Sequence, residues 1–362
     1  MAEKTILLCA GGTGGHLFPA EAVAHELRSR GYLVHLAADE RVQRFADSFP
    51  CEEIHIIRSA TLSAKNPVAI AKSMKALASG YLQSKRLLKD LRPRVVAGFG
   101  GYPTVPPVLA AARSGIPTLV HEANAVLGRA NRFLGKRVDR VAIGFGNTSL
   151  MGDISVIVTG NPVRPAVLEA AEQAYSQRRT EDPFNLLVFG GSQGAAYFGQ
   201  VLPAAIRLMD SERRNRLRIV QQARAEDADA VRDAYGQIGV KAEVAEFFTD
   251  MAERIAAAHL VVSRGGASTV SELAVIGRPA LLVPYPHALD HDQAANAENM
   301  KAAGGAVIHP QQTLSPEKLA TELTSAMDEP KRLALAAKNA KKTGRPDATQ
   351  TLAAMIETLS SR

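Results

Sequence analysis

Two stretches decide the fold: Thr5-Ile-Leu-Leu-Cys-Ala-Gly-Gly-Thr-Gly-Gly-His16 and, in the second half of the chain, Leu186-Leu-Val-Phe-Gly-Gly-Ser-Gln-Gly-Ala195. Each is a continuous apolar run that breaks on a cluster of glycines. A strand buried on both faces reads this way, whereas a half-exposed strand alternates. Glycine then lets the backbone turn tightly into a helix. After the first stretch, Pro19–Arg30 places Ala20, Val23, Ala24 and Leu27 on one helical face, and Gly31 stops it. Leu33–Ala37 is apolar again. Strand, helix, strand in this order implies a right-handed parallel crossover.

Working outward, Val95–Gly98, Thr118–His121, Val138–Ile143 and Ser155–Thr159 read as further strands. The pattern breaks at Thr159-Gly-Asn-Pro-Val-Arg-Pro165 and restarts with Leu186–Phe189, Arg218–Gln221, Glu243–Phe247, Leu260–Ser263 and Ala280–Pro284. A helix over Thr269–Ile276 is among those between them. The fold class is therefore α/β, with two doubly wound, Rossmann-like parallel-sheet domains. The expected bounds are residues 1–162 and 163–340, and the chain from about 341 to 362 reads as one more amphipathic helix packing back on the first domain. A length of 362 residues suits two such cores better than one.

No apolar run approaches a bilayer span, and the first residues do not read as a signal peptide, so a cytoplasmic protein is expected. Cys9 and Cys51 lack any metal-ligand spacing. The net charge of +7 points to nucleic acid, anionic lipid or a phosphorylated substrate. With no Trp and no nucleic-acid motif there is little to stack bases on, so nucleic acid is set aside.

Three glycine-rich turns precede helices: Ala10–His16, Phe189–Ala195 and Ser263-Arg-Gly-Gly-Ala-Ser-Thr-Val-Ser-Glu272. Such a turn points free N–H groups and the positive end of a helix dipole at a ligand, which suits a diphosphate. One turn alone is equally well a ligand-free corner; three together favour a ligand. Neither nucleotide fingerprint fits, because Gly12-Thr-Gly14-Gly-His-Leu17 lacks a third glycine and no Gly-Lys-Ser/Thr follows. Asp39 then reads as a solvated loop acid rather than a ribose ligand.

His16 is the sharpest candidate for chemistry. A helix start disfavours imidazolium and keeps the ring basic, so His16 either accepts a proton from an attacking hydroxyl or only bonds phosphate. Glu272 either complements the dipole of its helix or accepts hydrogen bonds from ribose hydroxyls. Asn124 and Arg164 lie in strand-end loops; Arg164 is equally a structural cation. Asp227-Ala-Asp229 and Asp290-His-Asp292 carry the Asp-x-Asp spacing of some metal-holding sugar transferases. The first reads as solvated helix; the second reads as a loop after a strand, where it could face a ligand. With dipole-bearing turns available, neither a metal nor a cofactor is expected.

From Arg58 to Arg94 there are nine Lys or Arg against one acid, Asp90. Ile70, Met74, Leu77 and Tyr81 follow helical spacing there, with Lys72 and Lys75 off the stripe. This face either meets anionic lipid or packs on its own domain.

At this point the chain resembles the MurG family, bacterial transferases that add N-acetylglucosamine to undecaprenyl-diphospho-MurNAc-pentapeptide (lipid I) to give lipid II. The likeness rests on seven motifs in order along the whole chain. They are Gly11–His16 with Pro19-Ala20, Phe99-Gly-Gly-Tyr-Pro103, His121-Glu-Ala-Asn124, Gly160-Asn-Pro-Val-Arg164, Gly190–Ala195, Arg264–Glu272 and Asp292-Gln-Ala-Ala-Asn296. The resemblance implies a GT-B fold, with the site in the cleft between domains and metal-independent inversion. It implies that Thr13, Gly14 and Gly15 line the site near the phosphates and acceptor. Asn124, Arg164, Ser192, Phe248 and Gln293 would contact UDP-GlcNAc, Phe248 at the uracil and Gln293 at the sugar hydroxyls. Ala267, Ser268, Thr269, Val270 and Ser271 would hold the pyrophosphate and sugar, Glu272 the ribose, and His16 would be the base on the MurNAc 4-hydroxyl. The stripe around Ile70–Tyr81 would rest on the cytoplasmic face of the inner membrane. One departure is Ala123, where the family often carries Gln. Without the resemblance, a glycolipid synthase or a non-catalytic nucleotide-binding, membrane-recruiting subunit would share the nucleotide half.

Overall fold

The computed structural model describes residues 4–45, 49–60, 66–190, 196–288 and 292–361. The chain divides into two compact units, residues 1–164 with 346–362, and residues 165–345. The first unit runs β1 (Thr5–Cys9), α1 (Gly14–Ser29), β2 (Leu33–Ala38), β3 (Glu53–Ile56), α2 (Pro67–Leu91), β4 (Val95–Gly98) and α3 (Val105–Arg113). It continues through β5 (Thr118–Glu122), α4 (Arg129–Gly135), β6 (Arg140–Ile143) and β7 (Ile157–Val158). The second runs α5 (Pro165–Ala170), β8 (Phe184–Phe189), α6 (Ala196–Arg207), α7 (Ser211–Arg216), β9 (Leu217–Gln222), α8 (Ala225–Gln237) and β10 (Lys241–Ala245). Then follow α9 (Met251–Ala257), β11 (Leu260–Ser263), α10 (Ala267–Ile276), β12 (Ala280–Leu282), α11 (Asp292–Ala302), β13 (Ala306–Ile308), α12 (Pro316–Asp328) and α13 (Pro330–Lys342). The closing helix α14 (Ala348–Ser360) belongs to the first unit.

Both sheets are parallel throughout, in the orders β3-β2-β1-β4-β5-β6-β7 and β10-β9-β8-β11-β12-β13. In the first unit alternate residues of the central strands feed two cores. Ile6, Leu8, Val34 and Leu36 pack with Leu17, Val23 and Leu27 of α1 and Leu352 and Ile356 of α14. Leu7, Cys9, Val96 and Val120 pack on the opposite face with Leu88 of α2 and Val108 of α3. Burial on both faces is why these strands read as unbroken apolar runs. The second unit packs β8, β9 and β11 against α6, α8 and α12.

Several expectations are corrected. The first helix starts at Gly14, not Pro19, so Pro19 lies inside it and leaves the Gly15 carbonyl without its i+4 donor. The strand expected over Glu243–Phe247 is Lys241–Ala245, and that over Ser155–Thr159 shrinks to two residues. β3 and β13 were not legible, because Glu-Ile-His-Ile is interrupted by polar residues and Ala306–Ile308 is only three residues long. The helix expected from about 341 onward begins only at Ala348, as α14, and packs on the first unit; α13 ends at Lys342 and residues 343–347 separate the two. A Cβ on Gly344 would stand 2.7 Å from the Ala274 carbonyl, and Pro346 lacks the amide to continue a helix.

Candidate functional site

In a doubly wound sheet, ligands bind beyond the carboxyl ends of the strands where the strand order reverses. In the first unit that point lies between β1 and β4, in the second between β8 and β11. The glycine turns sit there. Ala10–Thr13 follows β1 and Phe99–Gly101 follows β4, and they are tied together by Phe99 N–H to the Cys9 carbonyl at 2.8 Å and Gly11 N–H to the Gly100 carbonyl at 3.2 Å. Arg264–Gly266 follows β11. The turn after β8 enters residues 191–195, so Ser192 lies outside the described residues.

The first turn is tight, with Thr13 N–H on the Gly11 carbonyl at 2.8 Å. Thr13 is the N-cap of α1 and makes no side-chain cap. Its carbonyl accepts from His16 and Leu17, so the amides of Gly14 and Gly15 are left to face outward. Gly15 would meet nothing within 4 Å if it carried a Cβ. A helix glycine costs about 0.5–1 kcal/mol relative to Ala. No described residue demands it here, whereas close approach of a ligand would.

The His16 ring lies over the two turns. A Cβ on Gly11 would stand 3.1 Å from its Cδ2, and one on Gly100 3.0 Å from its Nδ1. Gly100 and Gly101 adopt φ of 91° and 81°, open to glycine without strain, so the Phe99-Gly-Gly turn can close beneath the imidazole. Nδ1 is buried with no hydrogen-bond partner among the described residues. Burial holds the His16 pKa below the usual 6.5, opposed by the Glu122 carboxylate and the Phe99 carbonyl. The ring is a neutral base.

Asn124 is placed by Glu122, a residue that sequence reasoning quoted without giving it a role. The buried Glu122 carboxylate accepts from the Asn124 amide at 2.9 Å, Asn124 Nδ2 at 3.2 Å, the Gly128 amide at 2.9 Å and Asn131 Nδ2 at 2.9 Å. An acid ending an apolar strand, with asparagines close behind, was the available signal. His121 beside it is fully buried and donates from Nε2 to the Gly160 carbonyl at 3.2 Å; burial lowers its pKa to about 4. Asn161 Nδ2 reaches the Ala123 carbonyl at 2.9 Å. The guanidinium of Arg164 lies over the Phe18 ring, 4.4 Å from its centroid. Asp39 is not a solvated acid: it binds Arg41 at 3.0 Å and packs where a Gly12 Cβ would come within 2.6 Å.

In the second unit α10 opens at Ala267, capped by Gly266 with no side-chain cap. Val270 N–H already donates to the Gly266 carbonyl at 2.9 Å, and Val270 is buried. The open amides are therefore those of Ala267, Ser268 and Thr269, a narrower set than Ala267 to Ser271. Ser268 Oγ is buried without a partner among the described residues, an orphan that an anion would satisfy. Glu272 is buried in the second turn, and no acid stands in the first, so it does not cap the dipole. A Cβ on Gly265 would stand 2.3 Å from the Gln293 carbonyl, and Asn296 Nδ2 binds the Gly265 carbonyl at 3.1 Å. This contact seats Gln293 beside the turn, and its Oε1 accepts from the Tyr285 amide at 2.9 Å.

Arg264 was not singled out from sequence. It is buried beneath the turn, donating to the Val283 carbonyl at 3.1 Å and Gln311 Oε1 at 2.7 Å, and burial lowers its pKa. Phe248 is buried with the Arg254 guanidinium 4.2 Å from its centroid, while the neighbouring Phe247 is 66% exposed. Any contact of Phe248 with a base therefore falls to its backbone unless the ring moves.

Asp227 and Asp229 lie on α8, paired with Arg224 and Arg232. Asp290 lies outside the described residues, and Asp292 opens α11. Among the described residues His35, Glu53 and His55 gather on neighbouring strands β2 and β3. His35 Nδ1 and His55 Nε2 are 3.0 Å apart with ring centroids at 5.3 Å. Those distances put the two nitrogens nearly on the line of centroids, so that one ring's N–H points at the other's lone pair. A metal at about 2.1 Å from each would need both nitrogens re-aimed by roughly 45°, so the geometry is that of a hydrogen bond.

The stripe on α2 is split. Ile70 and Met74 are 47% and 57% exposed, and Lys72 and Lys75 are exposed beside them. Leu77 is half-buried, and Tyr81 packs on the core under Arg113. Leu82, off the expected stripe, is 60% exposed. No described helix is long and apolar enough to cross a membrane.

Residues 6–143 match the N-terminal domain of glycosyltransferase family 28, and residues 185–352 its C-terminal domain. A relative from Mesorhizobium japonicum, named UDP-N-acetylglucosamine–N-acetylmuramyl-(pentapeptide) pyrophosphoryl-undecaprenol N-acetylglucosamine transferase, is 57% identical over 100% of this chain and 97% of its own length. One of the same name from Chelativorans is 59% identical over 100% of this chain and 96% of its own. The crystal structure of MurG from Acinetobacter baumannii superposes with a TM-score of 0.78 at 31% identity, over 98% of this chain and 99% of that one.

Proposed function

The chain belongs to glycosyltransferase family 28, and on that footing we propose that it transfers N-acetylglucosamine from UDP-GlcNAc to the MurNAc 4-hydroxyl of lipid I, giving UDP and lipid II. The observation that carries the reading is the glycine-opened helix start at each switch point, one bearing a neutral histidine and the other a buried orphan hydroxyl. The α10 start, with the amides of Ala267 to Thr269 and Ser268 Oγ, is chemically suited to a leaving diphosphate. Glu272 is assigned to the ribose and Gln293 to the sugar. Asn124, Arg164, Ser192 and Phe248 complete the donor site. Thr13, Gly14 and Gly15 are assigned to the phosphates and acceptor.

The reaction is a direct displacement. The acceptor oxygen bonds to the anomeric carbon, the bond from that carbon to the diphosphate oxygen breaks, and configuration inverts. His16 takes the hydroxyl proton. Only a neutral ring can accept that proton, and burial keeps His16 neutral; the contacts of a general base tighten when substrate binds. No metal or cofactor takes part in this scheme.

The reading places the enzyme against anionic lipid on the cytoplasmic face of the inner membrane. The first unit carries 22 Lys and Arg against 14 acids, net +8, and the second 21 against 22, net −1. All of the excess charge thus resides in the unit that carries α2 and its exposed Ile70, Met74 and Leu82. The test is to incubate the purified chain with radiolabelled UDP-GlcNAc and a lipid I analogue in the presence of EDTA. Labelled disaccharide-lipid is expected. Activity lost to chelator and restored by manganese would refute the metal-free scheme, and no transfer under either condition would refute the reading.

A further inference from the structure

Phe18 stands outside every role assigned above, yet its ring is built into the first glycine turn. It rests on Gly14, where a Cβ would come within 3.0 Å of Cε2 and 3.2 Å of Cζ. Over the same ring lies the Arg164 guanidinium at 4.4 Å. Arg164 ends the segment after β7, and its neighbour Val163 is held by a 3.2 Å hydrogen bond from Thr349 of α14 to its carbonyl. Glycine at 14 makes room for the aromatic ring, and the ring gives the guanidinium a flat surface beside the helix start.

From this stack we infer that Phe18 is a positioning residue, holding Arg164 so that its guanidinium edge meets a diphosphate at the start of α1. A guanidinium stacked by its face bonds through its edges, and two parallel N–H groups match two phosphate oxygens. A long, mobile side chain is thereby ordered before the ligand arrives. The inference rests on the transferase reading, in which donor and acceptor each carry a diphosphate. The shared chemistry is phosphate recognition, and kinetics separate the two sources.

The test is steady-state kinetics of the full chain with UDP-GlcNAc and a soluble lipid I analogue, for Phe18→Leu, Phe18→Met, Phe18→Tyr, Arg164→Ala and the Phe18→Leu/Arg164→Ala double variant. Losing the aromatic face is expected to raise KM for one substrate about fivefold while kcat changes less. Phe18→Tyr, which keeps the face, should restore KM. In the Arg164→Ala background Phe18→Leu should add nothing. The substrate whose KM rises identifies the diphosphate. Unchanged KM values, failure of Phe18→Tyr to restore them, or the same fold-loss without Arg164 would each overturn the inference. Phe18→Met serves if Phe18→Leu does not fold. A wild-type chain that transfers no sugar would reject the transferase reading, whereas an active wild type with an additive cycle rejects this inference alone.

Discussion

Adding one methyl group at Gly265 should separate the α10 turn from α11. The Ala Cβ would stand 2.3 Å from the Gln293 carbonyl oxygen and 3.1 Å from its carbon. Both neighbours are backbone, so no side chain can swing aside. Relief to an ordinary contact of roughly 3.3 Å requires the two segments to part by about 1 Å. Overpacking of this kind costs about 1–3 kcal/mol, and a 1 Å misplacement at a reacting site can cost on the order of 100-fold in rate. Gly266 is the internal control. Its Cβ would meet only Thr269 Oγ1, at 3.7 Å, and its φ of −64° suits any residue. Gly266→Ala should therefore melt like wild type or slightly above it, and any loss of nucleotide affinity there reports a methyl in the ligand's place. Gly265→Ala should melt lower and raise KM for UDP-GlcNAc at least tenfold. Thermal melts and UDP titrations on both variants decide it. If Gly265→Ala melts and binds UDP like wild type, the Gly265–Gln293 contact does not set the donor site.

Three further outcomes follow from the same geometry. Because burial lowers the His16 pKa, the base stays neutral as pH falls through the ordinary histidine range, so the acid limb of kcat/KM should lie below 6.5; a limb above that value would contradict the buried neutral ring. His121, lowered from 6.5 to about 4, binds its proton first in the unfolded chain, so its contribution to stability is present above pH 6.5 and is lost as pH falls toward 4. The loss is about 3 kcal/mol, and urea unfolding of His121→Asn should be flatter with pH than wild type by that amount. Replacing Ile70 and Met74 by Glu should abolish binding to anionic vesicles while leaving transfer to a soluble acceptor intact; retained vesicle binding would move the membrane contact elsewhere.

The two parallel sheets were legible because their central strands are buried on both faces, which writes itself into the chain as unbroken apolar runs ending in glycine. His16 and the glycine turns were legible for the same local reason, since a strand-to-helix corner with glycines has few other uses. The edge strands β3 and β13 were not, because an edge needs neither length nor continuous hydrophobicity. Glu122 and Arg264 were passed over as well. What gives them meaning is a set of partners far along the chain or on other elements: Asn131 on α4 for one, Val283 and Gln311 for the other.

The sequence by itself thus determined which peptide units turn tightly after which strands, because that depends on side-chain size and periodicity within a few residues. Only the tertiary structure decided which amides of α10 remain open, that Glu272 sits in the second turn, and that Tyr81 is packed away while Leu82 is not. Those outcomes depend on where a helix starts and what packs against it. Contacts set both, between residues that the linear pattern does not bring together.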